Sequence, residues 1–299
     1  MKLLAWNCRG LSRASAIRSL RGKIRMHSPD VLFLSETKAQ PSLAVSVLNN
    51  LGFSNMLHAP PSSSKGGLLL AWRTGVELEC ISFSINIINV WCYSDPLNNL
   101  WLLSCIYGPL VYKNKSGFWD SLLNVGKDFT RPWLCIGDFN MIISQSKKLG
   151  GHPYACSSND PFHYFLDSFG MVDLGFSGNP FTWSNKRQGN HLIKERLDCG
   201  LASSQWIHLL PHFSVQHLPA HSSDHNPILL DTAAPDLSLP CWFRFKEFWT
   251  FDPSCSQVVS NAWVRPFLGS LEYILSNKLK ATKMTLKIWN STHFGNIQN

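Results

Sequence analysis

The 299 residues, 44% hydrophobic and only 15% charged, are too apolar for a disordered chain and numerous enough to bury one large core. A formal net charge of +8 at pH 7 suits a polyanionic partner, because Lys and Arg release counterions from phosphates, although charge alone identifies none. Nine cysteines, an odd number with no C-x-x-C pair, argue against a disulfide framework and for reduced, buried thiols in a nuclear or cytoplasmic compartment.

Lys2–Asn7 is a short apolar run, interrupted by Asn7, Arg9 and Arg13 before it reaches signal-peptide length. No later run approaches ~18 apolar residues, so neither a signal peptide nor a membrane span is expected. Ala14 to about Met26 has a helical pattern and leads to the apolar run Val31–Glu36. Gly66–Trp72, Cys80–Tyr93, Leu100–Tyr107 and Trp133–Gly137 are rich in Ile, Val, Leu and Trp, and predict buried strands. Ser116–Phe129 and Pro161–Phe169 predict helices. Phe181–Ser184, Arg196–Ala202, Phe213–Leu218 and Pro227–Asp231 are strand-length runs bounded by Gly, Pro or Ser. Strands with intermittent helices imply an α/β or α+β sandwich, sheet on sheet with helices outside. After Thr232 the character shifts: Ala233–Pro240 is linker-like, Cys241–Phe251 is dense in Trp and Phe, and Leu268–Trp289 predicts an amphipathic helix carrying Lys278, Lys280, Lys283 and Lys287. The expected division is residues 1–232 and 233–299.

Polar residues recur where the predicted strands end: Asn7, Glu36, Tyr107, Asp138, Asn140, Asp224 and His225. Strands often stop at polar residues, but seven positions of matching chemistry suggest a site held by rigid backbone. Glu36 closes VLFLSE, where a carboxylate is costly to bury unless paired or bound to metal. In WLCIGDFN, Gly137 permits a tight exit, and Asp138 and Asn140 share one side if the chain stays extended; an Asx turn would use the same residues. His225 follows Asp224 in HSSDHNP and can act on phosphate, with Asp198 of ERLDCGL as the carboxylate that orients it. His212, His217, His221 and His225 lack zinc-ligand spacing, and neither a nucleophile elbow nor a P-loop is present.

The ordered set LAWNCRGL, LSETK, IYGP, GDFN, RLD and SSDH resembles the successive signatures of the DNase I-like endonuclease/exonuclease/phosphatase superfamily. GNPFTWSNKRQGNHLIKERLD and LKIWNSTHFGNI make the resemblance most specific to the endonuclease domain of plant LINE-type (non-LTR) retrotransposons. It implies a four-layer sandwich of two mixed sheets flanked by helices, with residues 233–299 resembling the connector to a reverse transcriptase. On that resemblance the chain is expected to be a fragment or a degenerate copy of such an element.

The resemblance implies Glu36 as principal metal ligand, with Asn7 and Asp224 in the same shell. Asp138 orients or deprotonates the attacking water, Asn140 holds the phosphate, Asp198 and His225 pair beside it, and Tyr107 contacts it. Thr182 is a further phosphate contact. Lys186 and Arg187 lie on a segment resembling a DNA-touching hairpin, or on a solvated turn. The cofactor implied is Mg²⁺, with Mn²⁺ possible, and the partner DNA. The expected activity is a nick leaving a 3′-hydroxyl. The rivals are a superfamily relative acting on abasic DNA, RNA or phospholipid, and an inert relic that only binds nucleic acid.

Overall fold

The computed structural model describes residues 1–59, 66–127, 131–154, 160–220, 222–234, 245, 247–267 and 271–293. The chain divides into two compact units, Met1–Asp236 and Leu237–Asn299.

In the first unit, β1 (Lys2–Asn7) leads through α1 (Ala14–His27) to β2 (Val31–Ser35), then α2 (Pro41–Asn49), β3 (Asn55–Ala59) and β4 (Leu68–Trp72). There follow β5 (Leu78–Phe83), β6 (Ile87–Ser94), β7 (Leu97–Tyr107), α3 (Lys115–Lys127) and β8 (Trp133–Asp138). Next come β9 (Lys148–Leu149), α4 (Pro161–Ser168), β10 (Val172–Asp173), β11 (Ser177–Gly178), β12 (Trp183–Ser184) and β13 (Lys194–Glu195). β14 (Asp198–Ala202), α5 (Ser204–Leu209), β15 (Ser214–His217) and β16 (Ile228–Asp231) complete it. One sheet has seven strands in the order β11-β15-β16-β1-β2-β4-β3, and a second has six, β10-β14-β8-β7-β6-β5. A small third sheet is β12-β13-β9.

Strand alternation divides the apolar runs into layers. Leu3 and Ala5 of β1 join Leu134 and Ile136 of β8 and Leu103 and Cys105 of β7 in the core between the sheets. Leu4 and Trp6 face the other way, onto Leu20 and Ile24 of α1 and Ala44 and Leu48 of α2. Leu102, Ile106 and Cys135 likewise meet Trp119 and Leu122 of α3 and Phe162 and Phe165 of α4. Strands covered on both faces are nearly continuous in apolar residues, which is why these runs lack a polar–apolar rhythm. The architecture is the expected four-layer sandwich. Trp119 anchors the second outer layer, 4.6 Å from Phe162 and 5.3 Å from Phe165 between ring centroids.

Two crossovers place the site. β1-α1-β2 and β7-α3-β8 each join parallel neighbours, with Asn7 opposite Ser35 and Tyr107 opposite Asp138. The ends of these four strands therefore share one edge of the sandwich. β14 runs antiparallel to β8 and starts there, with Asp198 opposite Asp138.

The predicted strand Cys80–Tyr93 is instead a hairpin. β5 and β6 turn at residues 84–86, where Ser84 N–H donates to Ile87 O at 2.8 Å and Asn86 N–H to Ser84 Oγ at 3.2 Å. The apolar Ile85 masks the turn in the sequence, yet it is 54% exposed. Cys80 is exposed on β5 and, among the described residues, is the exception to the expected burial of the thiols. The predicted Phe181–Ser184 strand shrinks to β12. α2, β3 and α5 were not predicted.

The second unit contains α6 (Pro253–Trp263) and α7 (Leu271–His293). Asp252 caps α6, accepting from Ser254 N–H at 2.8 Å, with Pro253 in the first turn. Its small core joins Trp249 and Cys255 to Leu286 and Trp289 of α7. The linker-like residues 235–240, most of the aromatic stretch after them, His221, Cys156 and Cys241 lie outside the described residues.

Candidate active site

Asn7, at the end of β1, ties the two sheets together. Its Nδ2 donates to Glu36 Oε1 at 3.1 Å and to Asp138 Oδ2 at 2.9 Å. Tyr107, at the end of β7, donates its hydroxyl to the same Glu36 oxygen at 3.1 Å. Asp138 meets His225, whose Nδ1 is 3.8 Å from its Oδ2 and 2.9 Å from Asp198 Oδ2. All six side chains are at least nine-tenths buried.

Local backbone geometry holds them. Glu36 (φ 50°) and Asn140 (φ 49°) occupy the left-handed region, as do Arg9 (φ 49°) and Lys38 (φ 46°). Such conformations cost on the order of 1–3 kcal/mol for non-glycine residues and persist where surroundings impose them. Gly108 is the tightest point: a Cβ there would lie 2.0 Å from Phe139 O. That close approach lets Gly108 N–H donate to Asp138 O at 2.7 Å, and Asn140 Nδ2 donate to Gly108 O at 2.7 Å. Asp138 and Asn140 are not extended neighbours: Asn140 N–H donates to Asp138 Oδ1 at 3.0 Å, an Asx turn.

Burial and charge act in opposite directions on these groups. Burial disfavours the Glu36 carboxylate, but Asn7, Lys38 and Arg9 outweigh it and hold its pKa below the ordinary value. Burial pushes Asp138 up to about 6, with His225 opposing and Asp198 reinforcing. Burial works against the His225 cation too, yet the Asp198 and Asp138 carboxylates raise it to about 9. Burial, with Glu36 and Asp138 nearby, pushes the Tyr107 phenol well above its usual range, so it remains a donor.

Asn7 Oδ1 is buried without a hydrogen-bond partner, beside the Glu36 carboxylate. An orphaned carbonyl oxygen next to an ionised carboxylate fits a hard divalent cation, which takes oxygen ligands. Asp138, Asp198 and His225 also offer ligand atoms within 4.8 Å of one another. Here the ring nitrogen concerned is spent on Asp198, and a protonated imidazole does not bind metal, so we favour Glu36 and Asn7.

The chain matches the Endonuclease/Exonuclease/phosphatase family over residues 4–278. It belongs to that family. Among solved structures, a 3′-5′ exonuclease from Neisseria meningitidis is 18% identical, with a TM-score of 0.61, covering 78% of this chain and 100% of that one. An AP endonuclease from Leishmania major is also 18% identical, with a TM-score of 0.58, over 77% of this chain and 86% of that one. The endonuclease domain of TRAS1, a telomere-specific non-LTR retrotransposon, is 14% identical, with a TM-score of 0.57, over 77% and 97%. These likenesses establish the fold. No curated protein sequence matches the chain.

Within this family member, the other predicted residues take different places. Asp224 lies in the acidic shell but is already engaged, with Arg9 Nε 2.9 Å from Oδ1 and Trp183 Nε1 donating to Oδ2 at 3.0 Å. Thr182 is buried, and its Oγ1 accepts from Leu197 N–H at 3.0 Å and Asp198 N–H at 2.9 Å, so it holds the backbone behind Asp198. Lys186 and Arg187 open the loop between β12 and β13, and Lys186 Nζ donates to Ser223 O at 2.9 Å, in the loop that carries His225. A bridge between Trp183 and His225 attaches the hairpin to the same loop.

Sequence reasoning missed three contributors. Arg9 approaches Glu36 at 3.7 Å as well as Asp224, and Lys38 Nζ lies 3.0 Å from Glu36 Oε2. Both sit inside quoted motifs, two residues beyond Asn7 and Glu36, and that spacing was the available signal. Ser223 Oγ donates to Asn7 O at 2.8 Å and accepts from His225 N–H at 3.1 Å, pinning the His225 loop to β1.

Proposed function

We propose that this protein is a metal-dependent phosphodiesterase that nicks one DNA strand, leaves a 3′-hydroxyl, and descends from a non-LTR retrotransposon. The observation that carries this reading is the Asn7 amide, which joins Glu36 to Asp138 and leaves its own carbonyl oxygen bare within a buried, oxygen-rich site.

Mg²⁺ or Mn²⁺ held by Glu36 and Asn7 would neutralise charge on the scissile phosphate. Asp138, with a pKa near 6, is deprotonated at neutral pH and suited to take the proton of an attacking water. His225 is cationic at that pH, its Nδ1 hydrogen directed at Asp198, which leaves Nε2 to donate to a phosphoryl oxygen. Asn140 and Tyr107 orient the phosphate from the two strand ends beside it. Water adds to phosphorus as the bond to the 3′ oxygen breaks, giving a 5′-phosphate and a 3′-hydroxyl.

DNA is favoured by the net charge of +8 and by the β12–β13 hairpin carrying Lys186, Arg187 and Lys194, anchored beside His225. Retroelement origin is supported by the sequence resemblance and the TRAS1 likeness.

The deciding assay is nicking of supercoiled plasmid with Mg²⁺, against EDTA and Glu36→Gln, with polymerase extension of the nick. Nicking that requires metal and Glu36 and yields extendable ends is expected. A folded protein that leaves the plasmid intact at all metal concentrations would overturn the reading.

A further inference from the structure

The first outer helix carries a feature that the site does not use. α1 buries Ala16, Leu20 and Ile24, and on its opposite face Arg18, Arg21 and Arg25 stand exposed at i, i+3 and i+7. The helix contains no acidic residue, and among the described residues none of these arginines is in an ion pair. Like charges at these spacings weaken a helix, so the row opposes α1's own stability. Gly22 lies within the same face, exposed, and an added Cβ would meet nothing within 4 Å. Glycine is a poor helix former, and no internal contact requires it here. Together they make a basic face with a bare centre, where a partner can approach the helix backbone.

We propose that the α1 face of Arg18, Arg21, Gly22 and Arg25 is a second binding surface for the phosphate backbone of duplex DNA, outside the catalytic cleft. It goes beyond the cleft but rests on the reading of DNA as substrate. The helix begins five residues after Arg9, at the active-site edge, and ends at His27, three residues before Asp30, whose N–H donates to Lys2 O at the start of β1. The row therefore runs down the flank from the site. Arg18 to Arg25 spans about 10 Å at 1.5 Å per residue. That is about three nucleotides of one strand, at a rise of about 3.4 Å each. Planar guanidinium groups pair well with phosphate. The charge complementarity commits the surface to a polyanion, and the family's phosphodiester chemistry selects a nucleic acid over an acidic protein.

The test compares the parent with R18Q/R21Q/R25Q and with R18K/R21K/R25K. A labelled 40-base-pair duplex is titrated in EDTA from 50 to 200 mM salt, with circular dichroism confirming the fold. Each phosphate contact contributes about 0.9 to the log–log salt slope, so the glutamine variant should lose about 2.7. The parent's affinity would then fall about 40-fold more than the variant's across that range. The lysine variant should retain most of the slope. An unchanged slope in the glutamine variant, with normal plasmid nicking by the parent, overturns this surface and leaves the catalytic reading intact. A reduced slope from a protein that nicks nothing supports the surface while the catalytic reading fails. Lost binding to polyglutamate with an unchanged duplex slope would assign the face to an acidic protein and overturn the proposal.

Discussion

Replacing Asp198 by Asn removes one charge and almost no volume, and so isolates what the carboxylate does for His225. The imidazole is 1% exposed, and burial alone would hold it neutral. Asp198, 2.9 Å from Nδ1, is the largest influence in the other direction, ahead of Asp138 at 3.8 Å. The rise from 6.5 to about 9 is worth about 3 kcal/mol of preference for the cation at 1.36 kcal/mol per unit. Without Asp198, most of that preference disappears and the pKa returns to the ordinary histidine value or below it. At pH 7.5 the cation would then be about one-tenth populated or less, so nicking should fall at least about tenfold, even with the ring held in place. Thr182 bonds the backbone of residues 197 and 198, not the carboxylate, so the fold should survive.

The assay is plasmid nicking from pH 5.5 to 9.5 at constant ionic strength, with the imidazole titration followed separately by NMR. In the parent, activity should rise near pH 6 as Asp138 loses its proton and fall near pH 9 as His225 loses its own. In Asp198→Asn the upper limb should move from near pH 9 down to about pH 6.5 or below. The linkage has a matching sign. A raised His225 pKa gives stability that is complete below pH 6.5 and lost as the pH climbs through about 9, so the variant should be less stable than the parent at pH 6 and close to it at pH 10. An upper limb unmoved in Asp198→Asn, or an NMR titration equal to the parent's, would refute the pairing.

Three further changes test separate parts of the structure. Thr182→Val removes the acceptor for two buried backbone N–H groups and should cost about 1–3 kcal/mol in urea denaturation; an unchanged midpoint with a raised KM would return Thr182 to the phosphate. Arg187→Ala should lower the salt slope of DNA binding by about 0.9 without changing the melting temperature, and no change in slope would mark the hairpin as a solvated turn. Trp119→Ala empties the centre of the layer formed by α3 and α4 and should cost about 3–5 kcal/mol by the same denaturation, whereas a loss under 1 kcal/mol would contradict that packing.

The layers were legible because strands buried on both faces are mostly apolar, as in Trp133–Ile136 and in Leu102–Ile106 apart from the hydrogen-bonded Ser104. The β5–β6 turn was not, because its middle residue is isoleucine and its turn chemistry is only one serine and one asparagine. α2 was missed because its run is short and opens on a proline without a side-chain cap. At the site, the carboxylates and His225 were readable one strand end at a time, but their convergence depends on which strands are parallel, which local pattern does not encode. Thr182 illustrates the limit. Threonine in FTW has the chemistry for a phosphate contact, and no local pattern announces that its oxygen accepts from the backbone of residues 197 and 198.

The charge balance of the site explains why its basic residues sit so close to its acids. Glu36, Asp138, Asp198 and Asp224 carry four formal negative charges when ionised, facing Arg9, Lys38 and His225 with three positive ones. The remainder is −1 in a site of low dielectric, and a phosphodiester brought there would be repelled. One divalent cation reverses the sign to +1, so phosphate and metal should each strengthen the other's binding. Arg9 and Lys38 meanwhile keep Glu36 ionised before any metal arrives, since burial alone would favour its protonated form. Their place, two residues beyond Asn7 and Glu36 in left-handed backbone, is therefore part of how the site stays ready for a cation. Neutralising Lys38 should accordingly move the Glu36 titration upward, as followed by NMR of its side-chain carboxyl, and an unmoved titration would refute this role for Lys38.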